Sequence, residues 1–298
     1  GKFSDMNKND LIQRFAKGCK PAHDWRMGLE HELFTYHTRT GNPLEYDGSS
    51  GVKNFLEIMA EKYGGELVYE LGNTVAIQRK THSITLEPAG QIELSGAPHS
   101  NMTDLVREHQ NFLEEIKVVG AQLDIGFFSL GVPPDWGLNE MHWVPKPRYK
   151  IMRDYLPTRA EHALDMMTRT TGAQLNMDFS DETDMVRKLR VSIGLQPFLI
   201  ALFANSWKEH GKDTGFSSRR SYFWMHTDPD RCGILPFIFE EKVAGFEAYV
   251  DWLLDVPMFC IERNGELINM AGRSFRRFLS GDLPENEKYT PCLADWDI

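Results

Sequence analysis

Polar and apolar side chains alternate in several short segments of this chain. In residues 28–34, GLEHELF, Glu30 and Glu32 alternate with Leu29, His31 and Leu33. Successive side chains of a β-strand point to opposite faces, so this spacing places both glutamates on one face and the leucines on the other. The segment therefore predicts a strand with one acidic face and one largely apolar face.

The same alternation recurs in residues 84–96, ITLEPAGQIELSG, and in residues 173–179, AQLNMDF. The first of these predicts a hairpin that turns at residues 88–90. The polar positions of all the predicted strands hold five carboxylates, three amides and no lysine or arginine: Glu30, Glu32, Glu87, Gln91, Glu93, Gln174, Asn176 and Asp178.

One explanation of such strands is a sheet with one face on the core and one in water. A solvated face usually mixes both signs of charge, whereas this one is entirely acidic or neutral. Like charges opposed on neighbouring strands are destabilising, and two unit charges roughly 4 Å apart repel by about 4 kcal/mol at an effective dielectric constant of 20. A cation is therefore expected between them. Oxygen ligands favour Mg²⁺ or Mn²⁺ over zinc, and an open face of this kind suits metals that present a nucleotide triphosphate.

Two segments predict long helices. Residues 101–119 carry apolar side chains on one helical stripe, formed by Leu105, Phe112, Leu113 and Ile116. Residues 181–205 predict a second helix. Its apolar run 197–203 predicts that the later part of the helix is buried, and Pro197 predicts a kink or break there.

Composition excludes some classes of protein. The 298 residues carry a net charge of −10 with scattered lysines and arginines, so a nucleic-acid partner is not expected. No apolar run is long enough for a membrane span, and no signal-peptide core opens the chain. The four cysteines are far apart in sequence, which predicts free thiols in a reducing compartment, namely the cytoplasm. The absence of repeats or linkers predicts one domain over residues 1–298, and oligomeric state is not indicated.

Six blocks of the chain resemble, in order and spacing, the motifs of plant and proteobacterial glutamate-cysteine ligases. They are GLEHELF, ITLEPAGQIELSGAP, PRYKIMRDYLP, MMTRTTGAQLNMDFSDETDM, SSRRSYFWMHTDPDRCGILPF and GFEAYVDWLLDVPMF. The resemblance runs from about residue 20 to the end and implies a glutamine synthetase-like α+β fold. In that fold a curved antiparallel sheet lines the active site and helices pack outside. Family members continue beyond this chain's last block, so we expect a catalytic domain that lacks the family's C-terminal segment.

The resemblance also implies an activity, the first step of glutathione biosynthesis. ATP would phosphorylate the γ-carboxylate of L-glutamate with Mg²⁺ or Mn²⁺ bound, and the amine of L-cysteine would displace phosphate from the γ-glutamyl phosphate. A plastid is the alternative location if the chain is a plant-like homologue whose transit peptide has been removed. Two alternatives stay open: a ligase that uses another amine, and a truncated, non-catalytic nucleotide- or metal-binding domain. A metal-dependent hydrolase is less favoured, because the sequence offers no histidine-rich ligand set.

Matching motif positions implies residue roles. Metal ligation falls on Glu30, Glu32, Glu87 and Glu93, and contact with the nucleotide on Gln91, Gln174 and Asn176. Arg220, with Glu87, is expected to be catalytic, since arginine is a permanently charged, bidentate donor for carboxylates. Substrate contact is expected from Tyr149, Met152, Arg153, Tyr155, Thr170, Thr171, Arg219, Arg220 and Trp224.

Each of these substrate roles has a structural alternative. The residues of PRYKIMRDYLP could equally pack in the core, and the two threonines could stabilise a turn. The arginines could be a surface pair, and Trp224 could be buried in the core. His31 alternates away from Glu30 and Glu32, so a core or supporting histidine is expected there.

Overall fold

An antiparallel sheet dominates the computed structural model, which describes residues 6–296. Its strands are β1 Met27–His37, β2 Glu66–Glu70, β3 Asn73–Gln78, β4 Ser83–Leu86, β5 Ile92–Ser95, β6 Ile125–Phe128 and β7 Ala173–Met177. Two small hairpins lie apart from it and consist of β8 Lys208–Glu209 with β9 Lys212–Asp213, and β10 Cys260–Arg263 with β11 Glu266–Asn269.

The long strand β1 organises this sheet. The strand order is β2-β3-β4-β5-β1-β6, and β7 also pairs with β1. The first half of β1 pairs with β5 and β7, and its last four residues pair with β6. The three acidic or amide-bearing segments identified in the sequence are therefore neighbours, which periodicity alone could not establish.

The predicted hairpin of residues 84–96 is confirmed. Thr85 pairs with Glu93 across β4 and β5, and Leu86 pairs with Ile92. Gly90 has a φ of 78°, a left-handed conformation that glycine adopts without strain, and its N–H donates to the carbonyl of Glu87. This turn places Glu87 directly beyond β4, next to the acidic face.

Nine α-helices are present between residues 6 and 296, the part of the chain that the structure describes. They are α1 Lys8–Gly18, α2 Val52–Tyr63, α3 Met102–Leu123, α4 Pro147–Tyr155, α5 Ala163–Arg169, α6 Glu182–Phe203, α7 Arg219–Met225, α8 Phe246–Asp255 and α9 Phe275–Leu279. The predicted stripe of α3 buries Leu105, Phe112 and Ile116. Phe112 and Ile116 pack with α2 and with inward-facing strand residues such as Ile84 and Leu94. The apolar side of the alternation is thus the main core.

The prediction for the second long helix was partly wrong. Helix α6 runs without a break from Glu182 to Phe203 with Pro197 inside it. Its later part is exposed rather than buried, since Phe198, Leu202 and Phe203 are 72%, 74% and 71% exposed. An apolar run shows that burial would be favourable, but not which element would provide it.

All four cysteines are free, as predicted. None of the helices described between residues 6 and 296 has the length and hydrophobicity that a bilayer-crossing segment needs.

A second core lies under α1, α8 and α9, where Leu11, Val250 and Phe278 are fully buried.

Candidate active site

Three glutamates converge on the polar face of the sheet. Glu32 of β1 lies directly opposite Glu93 of β5, and Glu87 follows β4 at the hairpin turn. One carboxylate oxygen from each of these three residues lies within 4.8 Å of the others, and all three side chains are half-buried. The set consists only of carboxylate oxygens, so it fits a hard divalent cation such as Mg²⁺ or Mn²⁺.

The three carboxyl groups are electrostatically strained. Burial, followed by the charges of Glu87 and Glu93, raises the pKa of Glu32 to about 7. Burial and then Glu93 raise the pKa of Glu87 to about 7. Burial also raises the pKa of Glu93, against a hydrogen bond from the Ser95 hydroxyl at 2.6 Å. A bound cation would relieve this repulsion and return all three groups to the ionised form.

We expect the metal-free protein to lose stability as pH rises from 5 to 8. The folded state holds protons on Glu32 and Glu87 up to about pH 7, whereas the unfolded chain releases them near 4.5. The resulting destabilisation above pH 7 is on the order of 2 kcal/mol, or roughly 4 °C in Tm. Thermal unfolding at each pH measures it. Mg²⁺ should restore the loss at pH 8, and Glu87→Gln should flatten the profile; an unchanged slope in that variant contradicts the assignment.

Glu30 lies beside this group but is held differently. Its carboxylate accepts hydrogen bonds from Nε2 of Gln174 at 2.9 Å and Nδ2 of Asn176 at 2.8 Å, both on β7. The two amides therefore orient Glu30. Asp178 was expected on the same face, but its carboxylate pairs with Lys20 at 2.8 Å, which removes it from the acidic group.

The amide of Gln91 is used entirely by the protein. Its oxygen accepts the Ala89 N–H at 2.8 Å, and its nitrogen donates to the carbonyls of Met167 and Thr170. The side chain is only 2% exposed. We therefore reassign Gln91 from nucleotide contact to holding the turn that carries Glu87, because no donor or surface of its amide is left for a ligand.

Arg220 of α7 lies close to Glu32. Its Nε atom is buried and has no hydrogen-bond partner within residues 6–296. Burial lowers the pKa of Arg220, and the nearby charge of Glu32 opposes that shift. Glu32 in turn accepts the N–H of Gly172 at 2.8 Å. A buried N–H donor without an acceptor is costly, so this position suits an anionic ligand.

Trp224 and Arg219, which are close to Arg220 in sequence, make different contacts. The guanidinium carbon lies 5.7 Å from the centre of the Trp224 ring, which is 37% exposed; the core alternative for Trp224 is therefore wrong. Arg219 pairs with Glu209 at 3.0 Å, and Glu209 also pairs with buried Arg169 at 2.7 Å. Arg219 thus belongs to an ion-pair network behind the site, and the two arginines are not a surface pair.

The predicted substrate wall is mostly packing. Met152 and Tyr155 pack in a buried cluster with Leu156, and the guanidinium of Arg153 lies 4.5 Å from the Trp143 ring centre. Tyr149 is nearer the carboxylates: its hydroxyl donates to the Leu86 carbonyl at 3.1 Å. Of the four residues, Tyr149 is the one that borders the acidic group.

The two threonines and His31 support the site from behind. The hydroxyls of Thr170 and Thr171 donate to the carbonyls of Met166 and Leu130, each at 2.7 Å. Both side chains are buried, so their contacts fit the alternative role of stabilising a turn. His31 shares hydrogen bonds with Ser129 and His109 at 3.0 and 2.8 Å, away from the glutamates as predicted.

Lys146 is a charged neighbour that sequence reasoning missed. Its ammonium donates to the Leu86 carbonyl at 2.8 Å and to the Tyr149 hydroxyl at 3.3 Å. Burial lowers the pKa of Lys146, and Glu87 is the largest of the charges that oppose this shift. A signal was present in the sequence, since Lys146 immediately precedes the PRYKIMRDYLP block.

Comparison with known proteins gives consistent matches. The sequence model of glutamate-cysteine ligase family 2 (GCS2) matches residues 26–298. The chain is 42% identical to glutamate-cysteine ligase A, chloroplastic, of Oryza sativa subsp. japonica, over 98% of this chain and 58% of the relative. It is also 42% identical to the chloroplastic enzymes of Brassica juncea and Arabidopsis thaliana, covering 56% and 55% of them.

The chain thus spans less than three fifths of the length of the curated relatives it matches. The names of these relatives place them in the chloroplast. The cytoplasmic location expected from the cysteines therefore stays a prediction.

Proposed function

Because this chain belongs to glutamate-cysteine ligase family 2, we propose that it joins L-cysteine to the γ-carboxylate of L-glutamate, using ATP and Mg²⁺. One observation carries the proposal: Arg220, whose buried Nε has no hydrogen-bond partner within residues 6–296, lies close to Glu32, which converges with Glu87 and Glu93. A cationic anchor for a carboxylate and a ligand set for hard cations are the two elements that this reaction requires.

The proposed reaction has two steps. An oxygen of the glutamate γ-carboxylate attacks the γ-phosphorus of ATP, and ADP leaves. The amine of cysteine then attacks the γ-carbonyl carbon of the γ-glutamyl phosphate, phosphate leaves, and the amine loses one proton. The first step brings an anionic nucleophile to an anionic triphosphate, so its barrier depends on how well positive groups neutralise both.

Different residues bind glutamate and the metal–nucleotide complex. Arg220 binds a carboxylate of glutamate and thereby holds glutamate next to the γ-phosphorus of ATP. Glu32, Glu87 and Glu93 would hold Mg²⁺, which, when bound, neutralises charge on the phosphates. Glu30, oriented by Gln174 and Asn176, forms the rim on the β7 side and serves as a further polar contact for the metal–nucleotide complex.

A second part of the proposal concerns the type of fold. We propose that the antiparallel sheet corresponds to the curved sheet of glutamine synthetase-like ligases. The support is its arrangement: acidic side chains occupy one face, and α2 and α3 pack on the other.

The test is direct. Purified protein is incubated with ATP, Mg²⁺, glutamate and cysteine, and γ-glutamylcysteine and ADP are quantified by mass spectrometry. We expect both products in equal amounts. If other amines release ADP as fast as cysteine, the chain is a glutamate ligase of different specificity. If it binds ATP and Mg²⁺ without ever releasing ADP, it is a binding domain, and the proposed activity is wrong.

Gly172→Ala is expected to reduce kcat/KM for glutamate by about tenfold or more. A β-carbon at this position would lie 2.7 Å from Nη2 of Arg220, so the guanidinium must move. A displacement of about 1 Å in a binding group can cost up to 100-fold in rate. Steady-state kinetics with varied glutamate measure the loss, while the Tm should stay close to that of the parent. Gly194→Ala, where nothing lies within 4 Å, is the control; equal kinetics in both variants would contradict the role of Arg220.

A further inference from the structure

Lys146 is a half-buried cation whose two hydrogen-bond partners are neutral. Two of its three N–H donors are taken by the Leu86 carbonyl at 2.8 Å and the Tyr149 hydroxyl at 3.3 Å. No carboxylate forms an ion pair with Lys146 in the part of the chain that the structure describes. One donor is therefore left for a ligand, and the charges of Glu87, Glu70 and Glu93 act on the ammonium without a direct ion pair.

Lys146 and Arg220 lie near different strands of the sheet. Lys146 is anchored on Leu86, the last residue of β4, whereas Arg220 lies over Gly172, just before β7. Across the sheet, β4, β5, β1 and β7 follow one another. The glutamate cluster lies between them, so the two cations occupy opposite ends of it.

Two cations of different geometry suit two different anions. The guanidinium of arginine presents a planar fork that matches a carboxylate, while the ammonium of lysine is a compact point charge that serves phosphate oxygens well. The Leu86 and Tyr149 oxygens hold the Lys146 ammonium in place, so little conformational entropy would be lost on binding.

We propose that Lys146 contacts a phosphate oxygen of the nucleotide at the β4 end of the glutamate cluster, opposite the amino-acid carboxylate held by Arg220. The assignment rests on the proposed function. It makes Lys146 a binding residue that favours the metal–nucleotide complex and disfavours the metal alone, because an adjacent positive charge repels a free cation and attracts a phosphate.

Calorimetry on Lys146→Met tests this. Mn²⁺ alone and Mn²⁺ with a non-hydrolysable ATP analogue are titrated into the parent and variant proteins. We expect affinity for the metal–nucleotide complex to fall by about 10- to 100-fold. Affinity for Mn²⁺ alone should rise by about twofold or more, because a neighbouring positive charge is gone. The opposite signs distinguish ligand contact from a structural role, which would weaken both.

The control is Lys150→Met in α4, the helix that Lys146 directly precedes; the Lys150 ammonium is exposed and pairs with Asp154 at 2.7 Å. Both of its affinities should stay within about twofold of the parent. If Lys146→Met does not fold, Lys146→Gln, which keeps a donor for the Leu86 carbonyl, should show the same opposite shifts.

Results that contradict the role of Lys146 differ from results that contradict the proposed function. Unchanged nucleotide affinity in the Lys146 variant, or a parallel loss of both affinities, overturns the assignment of Lys146 alone. A parent protein that binds Mn²⁺ but no nucleotide overturns the proposed function itself.

Discussion

Arg220→Lys is expected to lower kcat/KM for glutamate by about 100- to 1,000-fold. Two charge-assisted hydrogen bonds from a guanidinium fork are worth about 1.5–3 kcal/mol each, and lysine can replace neither their geometry nor their reach. Burial lowers the pKa of the parent guanidinium, and its Nε has no hydrogen-bond partner within residues 6–296, so a substrate carboxylate would gain hydrogen bonds that the protein does not supply. Steady-state kinetics with glutamate varied at saturating ATP and cysteine measure the effect.

Arg219→Lys is the matched control, one residue away on the same helix. Arg219 is committed to Glu209 at 3.0 Å and lies 4.6 Å from the Tyr222 ring centre. We therefore expect a loss of about 1 kcal/mol in stability, with KM for glutamate within about threefold of the parent. If the two variants lose activity equally, the different roles assigned to these neighbouring arginines are wrong.

Glu93→Gln is expected to have the second large effect, in which activity and stability change in opposite directions. The activity should fall by about 1,000-fold, and the Mg²⁺ concentration for half-maximal rate should rise, because a neutral amide is a poor ligand for a hard cation. The metal-free protein should become more stable at pH 8 by about 1 kcal/mol, because the change removes one of three mutually repelling carboxylates. Magnesium titration of the rate and thermal unfolding in chelator measure the two effects.

Glu66→Gln provides the comparison for that experiment. Glu66 lies in the same sheet, on β2, but its side chain is exposed and distant from the glutamate cluster in the strand order. Neither its magnesium dependence nor its metal-free stability should change measurably. A loss of metal-free stability in Glu93→Gln would argue that the carboxylate serves the fold rather than a cation.

The strands around the site were predictable because their signal is local. The period-two alternation in residues 28–34, 84–96 and 173–179 reports directly which side chains share a face of one strand. The same reasoning failed for Gln91, which has the correct parity but lies at the turn, where its amide binds the backbone. It also failed for the apolar end of α6, because hydrophobicity does not say which element, if any, will cover a surface.

The sequence alone determined that an acidic face exists, that it carries oxygen ligands for hard cations, and that the chain resembles the family whose match was then found over residues 26–298. Tertiary structure decided the rest. Strand pairing selected Glu32, Glu87 and Glu93 from the acidic positions, and distant segments brought Arg220 close to Glu32 and Lys146 close to Glu87. The reason is that parity along a strand follows from backbone geometry, whereas convergence depends on long-range contacts that no local pattern encodes.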